Sequence, residues 1–161
     1  MDIPLLAAED IEVKIKQVTE KGAIALLYKT ARVDMAILDK VFGWQNWQCK
    51  YEEIKSNLYC GIGVRANEKE EFVWKWDCGI ESRTDNDGNE KKGEASDAFK
   101  RAATKCGIGR ELYTAPFIFL NVKTKQSNNG YGLENKYARY SVNAIEYNED
   151  KSIKSVIIID D

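Results

Sequence analysis

Lys100, Arg101 and Lys105 share helical spacing with Asp97 and Thr104 inside one stretch, Lys91–Gly109 (KKGEASDAFKRAATKCGIG). Side chains three and four apart are neighbours on a helix surface, so three cations line one side and can meet a polyanion together. Such side chains neutralise phosphate and release counterions, and they carry no base information by themselves. Charged helix faces are more often only solvated, so the pattern gains weight from its company. Arg32 begins an earlier helix, and Lys50, Arg65 and Lys75 are expected on the less apolar face of a sheet. Together these seven residues describe a groove for a phosphate backbone.

Other chemistries are less well served. Asp77, Glu81, Asp85 and Asp87 suggest a divalent-metal nuclease, yet only Asp77 and Glu81 share a strand face. Asp85-Asn86-Asp87-Gly88 resembles the start of a calcium loop but lacks the flanking helix and the bidentate acid. Gly61-Ile62-Gly63 and Gly107-Ile108-Gly109 are not followed by Gly-Lys-Ser/Thr and do not open a helix, so neither reads as a phosphate loop. The chain has no histidine, which removes the commonest general base and the usual partner of a nucleophile. Cys49, Cys60, Cys78 and Cys106 form no CxxC pair, which argues against structural zinc. They are expected to be free thiols in a reducing cytoplasm. No catalytic residue, metal or cofactor is expected. The tryptophans could serve as base-stacking platforms. Trp74 and Trp76 share a strand face with Phe72 and Ile80, however, which favours the core.

The groove residues need elements to hold them. The other side of Lys91–Gly109 carries Ala95, Ala98, Phe99, Ala102, Ala103 and Cys106 at i, i+3, i+4, i+7, i+8 and i+11, a buried stripe of mostly small residues that lets a helix approach a sheet closely. The Gly-Ile-Gly segment supplies its stop. Three period-2 stretches precede it: Trp44–Ile54, Leu58–Ala66 and Phe72–Glu81. They predict an antiparallel meander with one face covered by the Ala-rich helix. Upstream, Glu9–Gln17 fits both a strand (Ile11, Val13, Ile15) and a helix (Ile11, Ile15, Val18); the charge order favours helix. Ala23–Tyr28 reads as a strand and Arg32–Phe42 as a helix. Ser82–Glu90 is a polar loop, and Lys123–Glu134 reads as a mobile connection. Tyr137–Tyr147 and Ile153–Ile159 form a terminal hairpin whose apolar edge is guarded by Lys154, Asp160 and Asp161.

Composition sets the frame. With 161 residues, 43% of them hydrophobic, the chain can bury a real core. It is expected to be a single domain over 1–161, with a core over about 9–115 and an extension and hairpin over about 116–161. The net charge of −2 rules out a uniformly basic nucleic-acid binder, so any polyanion site is local. The charge is segregated: residues 91–110 hold six cations against two acids, and residues 67–90 hold three against eight. Such asymmetry focuses a field despite a near-neutral sum. No run is apolar and long enough to span a membrane.

Several blocks resemble, in order, the Rad fifty-two/twenty-two family of single-strand annealing proteins, which includes phage members. They are Arg32-Val33, Asp39-Lys40-Val41-Phe42-Gly43 with Asn46-Trp47, the stretch from Leu58 to Arg65, Asp77-Cys78-Gly79, and above all Gly93 to Gly107 with its Lys100-Arg101-Ala102 step. The resemblance implies an α+β fold: a curved antiparallel β-meander packed by an Ala-rich helix, with a preceding helix-strand-helix. It implies rings or filaments with single-stranded DNA in a basic groove, bases left accessible, and no nucleotide hydrolysis. Lys100 and Arg101 match the family's DNA-contacting pair and Arg32 a groove arginine. A further basic position, one turn after Lys100, is Thr104 here, with Lys105 beside it. The expected partners are single-stranded DNA, further copies of the chain, and a single-strand-binding protein or exonuclease. The expected location is the cytoplasm, that of a bacterial host for a phage-encoded chain. A metal-dependent nuclease using Asp77 and Glu81, and a structural oligomer that does not bind DNA, are the alternatives.

Overall fold

The structure, a computed structural model, describes residues 2–80 and 90–161. Glu81, Asp85, Asp87 and the polar loop up to residue 89 lie outside the described residues. In chain order the elements are β1 (Glu12–Thr19), β2 (Gly22–Tyr28), α1 (Ala31–Phe42), β3 (Trp47–Ile54), β4 (Asn57–Val64), β5 (Val73–Cys78), α2 (Glu90–Lys105), β6 (Ile118–Leu120), β7 (Thr124–Ser127), β8 (Gly130–Leu133), β9 (Tyr140–Tyr147) and β10 (Ile153–Asp160). They fall into two compact units: Met1–Pro4 with Thr30–Arg110, and Leu5–Lys29 with Glu111–Asp161.

In the first unit, β3, β4 and β5 form the expected antiparallel meander. Lys55 and Ser56 both take positive φ (52° and 65°) in the two-residue turn between β3 and β4, the backbone twist that a tight hairpin requires. The Ala-rich helix covers this sheet: α2 packs on β4 and β5. Ala98, Ala102 and Ala103 are fully buried and Phe99 nearly so, as are Cys60 and Ile62 of β4. Trp47 meets the Phe99 ring edge-on, with centroids 6.1 Å apart. Burying side chains as large as Phe99 and Ile62 contributes about 1.5–3 kcal/mol each. Small residues permit the approach, and Gly79 marks how close it is. A Cβ there would sit 2.1 Å from the Glu94 carbonyl oxygen.

Both helices end as their sequences require. Thr30 caps α1 by accepting a hydrogen bond from the Val33 N–H, and Gly43, at φ 84°, closes its other end. The Ile108 N–H donates to the Ala103 carbonyl and the Gly107 N–H to that of Thr104, with Gly107 at φ 104°. This Schellman pattern satisfies carbonyls that a helix end leaves open.

The structure corrects one expectation about the meander. Trp74 and Trp76 do not face α2. In the β4–β5 register Gly61 pairs with Trp76 and Gly63 with Trp74, while Ile62 pairs with Lys75 and Cys60 with Asp77. Cross-strand partners share a face, so Val73, Lys75 and Asp77 lie on the helix side and the indoles on the far side. The physical reason is a size match between two strands: the glycines leave room that the indoles fill. Lys75 is therefore separated from Lys50 and Arg65, which share the indole side.

In the second unit a five-stranded antiparallel sheet runs in the order β10-β9-β1-β2-β6. Leu6, Ile11, Ala23, Ala25, Leu27, Val142 and Ile153 form its core. The expected helix over Glu9–Gln17 is a single helical turn at Ala8–Asp10 followed by β1. The register of β1 on β2 shifts between Ile15 and Gln17, a β-bulge. One extra residue breaks the alternation, so Ile11, Val13, Ile15 and Val18 stay on the inner side. Their spacing imitates a helix. The terminal hairpin forms as β9 and β10. Lys123–Glu134, expected as a mobile connection, pairs instead as β7 with β8 around Asn128-Asn129.

Residues ahead of β1 are tied down by side chains from far along the chain. The Leu6 N–H donates to the buried Glu111 Oε1 at 2.8 Å, and the Tyr147 hydroxyl donates to the Leu6 carbonyl at 2.7 Å. Burial, then the charges of Glu111 and Asp10, push the Tyr147 phenol up to about 12. In the first unit, burial is the main cause pushing Tyr51 and Cys60 up to about 12 as well. Groups held protonated by the fold stabilise it fully below their unfolded pKa values and lose that contribution as pH rises through the folded ones. The melting temperature should therefore hold steady to about pH 9 and fall between there and pH 12. A pH series of thermal melts measures this, and Tyr147→Phe should flatten part of the fall. A stability that rises over this window contradicts the assignment.

Candidate nucleic-acid interface

The cationic side of α2 is built from residues that lock to β5. Arg101 Nε lies 3.7 Å from Asp77 Oδ1, and Lys105 Nζ lies 3.9 Å from Asp77 Oδ2. Lys105 Nζ also donates to the Trp76 carbonyl at 2.6 Å. The two cationic side chains are about half exposed and Asp77 much less so. Ion pairs at such exposure are worth about 0–1 kcal/mol. Their consequence is positional: Asp77 sets both cations at the seam between helix and strand. Two acids of the helix, Glu94 and Asp97, are engaged elsewhere. Glu94 Oε1 accepts the Leu58 N–H at 3.1 Å, and Asp97 Oδ2 accepts the Ile80 N–H at 3.0 Å. They stitch α2 to the start of β4 and the end of β5, and Arg101 and Lys105 stay about half exposed beside them.

The remaining residues divide. Lys100 is half-buried and engaged in a contact of its own. Thr104, at the position where a further cation is expected, turns its hydroxyl back to the Lys100 carbonyl at 3.0 Å. Lys75 is exposed on the α2 side of β5, two residues from Asp77. Arg32 is exposed in the first turn of α1, a helix that packs against α2. A cation at a helix N-terminus opposes the helix dipole, so local stability does not explain it. Lys50 and Arg65 stand on the other face of the sheet, beside Trp74 and Phe72. The seven residues thus make two groups: Arg32, Lys75, Lys100, Arg101 and Lys105 with α1 and α2, and Lys50 with Arg65 behind the sheet.

Arg110 was missed by sequence reasoning. Its guanidinium donates from Nε to the Thr104 carbonyl at 2.9 Å and from Nη2 to that of Lys105 at 2.6 Å. It closes the last turn of α2 and adds a cation at the negative end of the helix dipole. The available signal was a basic residue directly after the Gly-Ile-Gly stop. Among the described residues no three His, Cys, Asp or Glu side chains gather where they could hold a metal ion. Asp77 faces two cations, which is poor electrostatics for a divalent site. No helix of the described residues is long and apolar enough to cross a membrane.

The structure thus sets a three-stranded meander under a small-residue helix, with Arg101 and Lys105 at their seam. A model of the Rad52/22 family double-strand break repair proteins matches residues 5–131. The match covers most of the chain, which belongs to the Rad52/22 family. No curated protein and no solved structure matches it. Membership supports a role in DNA repair and recombination.

Proposed function

We propose that this chain binds single-stranded DNA and anneals complementary strands as a ring or filament of many copies, without catalysing a covalent reaction. The observation that carries the reading is the cationic seam of α2, with Arg101 and Lys105 set by Asp77, in a member of a double-strand break repair family. Repeating a +4 segment along an assembly makes a continuous basic track from protomers of net charge −2. Phosphates bound along that track release counterions, which supplies much of the affinity, and bases turned outward sample partners.

The test is the double variant Lys100→Ala, Arg101→Ala, checked for native melting and titrated with a labelled oligonucleotide over a salt series. Loss of two phosphate contacts should reduce the slope of log K against log salt by about 1.4 for a single strand. A folded double variant that binds and anneals like the wild type, with the same slope, overturns the assignment.

A further inference from the structure

The indole side of the β3–β4–β5 sheet is the opposite of the α2 seam, and its construction is specific. A Cβ on Gly61 would lie 2.5–2.6 Å from three atoms of the Trp76 indole, and one on Gly63 would lie 2.8–3.0 Å from three atoms of Trp74. Three ring atoms at nearly equal distance mean that each indole lies face-down on its glycine. Its other face points away from the sheet; both indoles are half-buried, and Lys50 lies over that face of Trp74. The two indoles are near-parallel, with centroids 5.9 Å apart and planes at 25°, and Phe72 extends the row at 6.2 Å. Cations interleave with the rings. Lys50 Nζ stands 4.6 Å over Trp74, and the Arg65 guanidinium 4.4 Å over Phe72. Arg65 is anchored by donating to Asn46 Oδ1 at 3.1 Å and to the Gln45 carbonyl at 3.3 Å. Gln48, Glu52, Tyr59 and Cys78 complete this face, with Glu52 its acid.

We propose that this face is a second contact surface for single-stranded nucleic acid, on which a base stacks against Trp76, a second stacks on Trp74 once Lys50 swings from that ring to a phosphate, and Arg65 meets the backbone beside them. The inference rests on the DNA-binding reading above and deepens it. Half-exposed flat rings with interleaved cations suit bases and phosphates together. Protein–protein interface cores, by contrast, are depleted in lysine, which disfavours a second copy as the occupant. The two surfaces divide the labour chemically: the α2 seam reads charge alone, and this face also requires a base.

The full chain is titrated with a thirty-nucleotide oligothymidylate and with an abasic strand of equal phosphate count. A Trp44→Phe background removes the tryptophan that is 74% exposed, so emission reports on the remaining indoles. The wild-type platform should favour oligothymidylate roughly tenfold or more, with quenched emission. Trp76→Leu, which still fills the space over Gly61, should lose most of that preference and leave abasic binding unchanged, while Trp76→Phe should keep most of it. Equal affinity for the two strands overturns the proposal whatever the variants do, and leaves the α2 reading intact. So does a folded Trp76→Leu variant that retains the preference, or one that alters only particle mass. Binding of neither strand overturns both readings.

Discussion

Gly79→Ala is expected to cost about 3 kcal/mol of stability, at the upper end of the usual range for overpacking, and to weaken DNA binding with it. The new Cβ would fall 2.1 Å from the Glu94 carbonyl oxygen and 2.8 Å from the Ala98 nitrogen. Both are backbone atoms of α2, so no rotamer change relieves the clash. The helix must retreat from β5, and Asp77 then loses its hold on Arg101 and Lys105. Gly132→Ala is the control, because a Cβ there meets nothing within 4 Å, and a surface change of that kind stays within about 0.5 kcal/mol. Urea titration of the three proteins measures the difference as a lower midpoint at unchanged slope. A Gly79→Ala midpoint equal to that of the control refutes the close approach of α2.

Glu111→Ala is expected to cost about 2 kcal/mol. Glu111 is 6% exposed and its Oε1 receives the Leu6 N–H. Removing the acceptor leaves a buried donor unsatisfied, a penalty of about 1–3 kcal/mol. Glu111→Gln keeps an acceptor oxygen at the same place and should retain most of the stability. Amide hydrogen exchange gives a local readout: Leu6 should lose protection in the alanine variant and keep it in the glutamine variant. Equal loss in both variants would assign the effect to charge.

The parts of the fold legible in the sequence are those whose signal is local. The buried stripe from Ala98 to Ala103, the Gly107 stop and the alternation of the strands all follow from residues near one another in the chain. The illegible parts depend on two elements at once. The helical look of Ile11, Ile15 and Val18 arises from a bulge against β2, which the strand alone does not reveal. The face of β5 is decided by glycines in β4 that accept its indoles. Judged strand by strand, Trp74 and Trp76 belong under the helix, and Lys75 belongs with Lys50 and Arg65. In the candidate site the Lys-Arg step was readable as a motif. Its fixing point was not: Asp77 lies 24 residues before Arg101 and suggested only a disfavoured metal ligand. Glu111, a buried acid whose donor is 105 residues away, leaves no periodic trace.

The interleaving of the two units has a kinetic consequence. Thr30–Arg110 supplies nearly all of the first unit, and its helices and strands meet neighbours close in the chain. The second unit begins at Leu5 but is closed by residues near Asp161, since β9 is the strand that joins β1 to β10. Non-local pairings must bear a loop-closure entropy before they gain contact energy. During synthesis, therefore, the β1–β2 hairpin waits while the first unit emerges and folds, and β9 then meets β1 at Glu12 alone, opposite Ser141. The alternating Glu12, Lys14 and Lys16 of β1 keep charge along that waiting strand, a defence against pairing with the wrong chain.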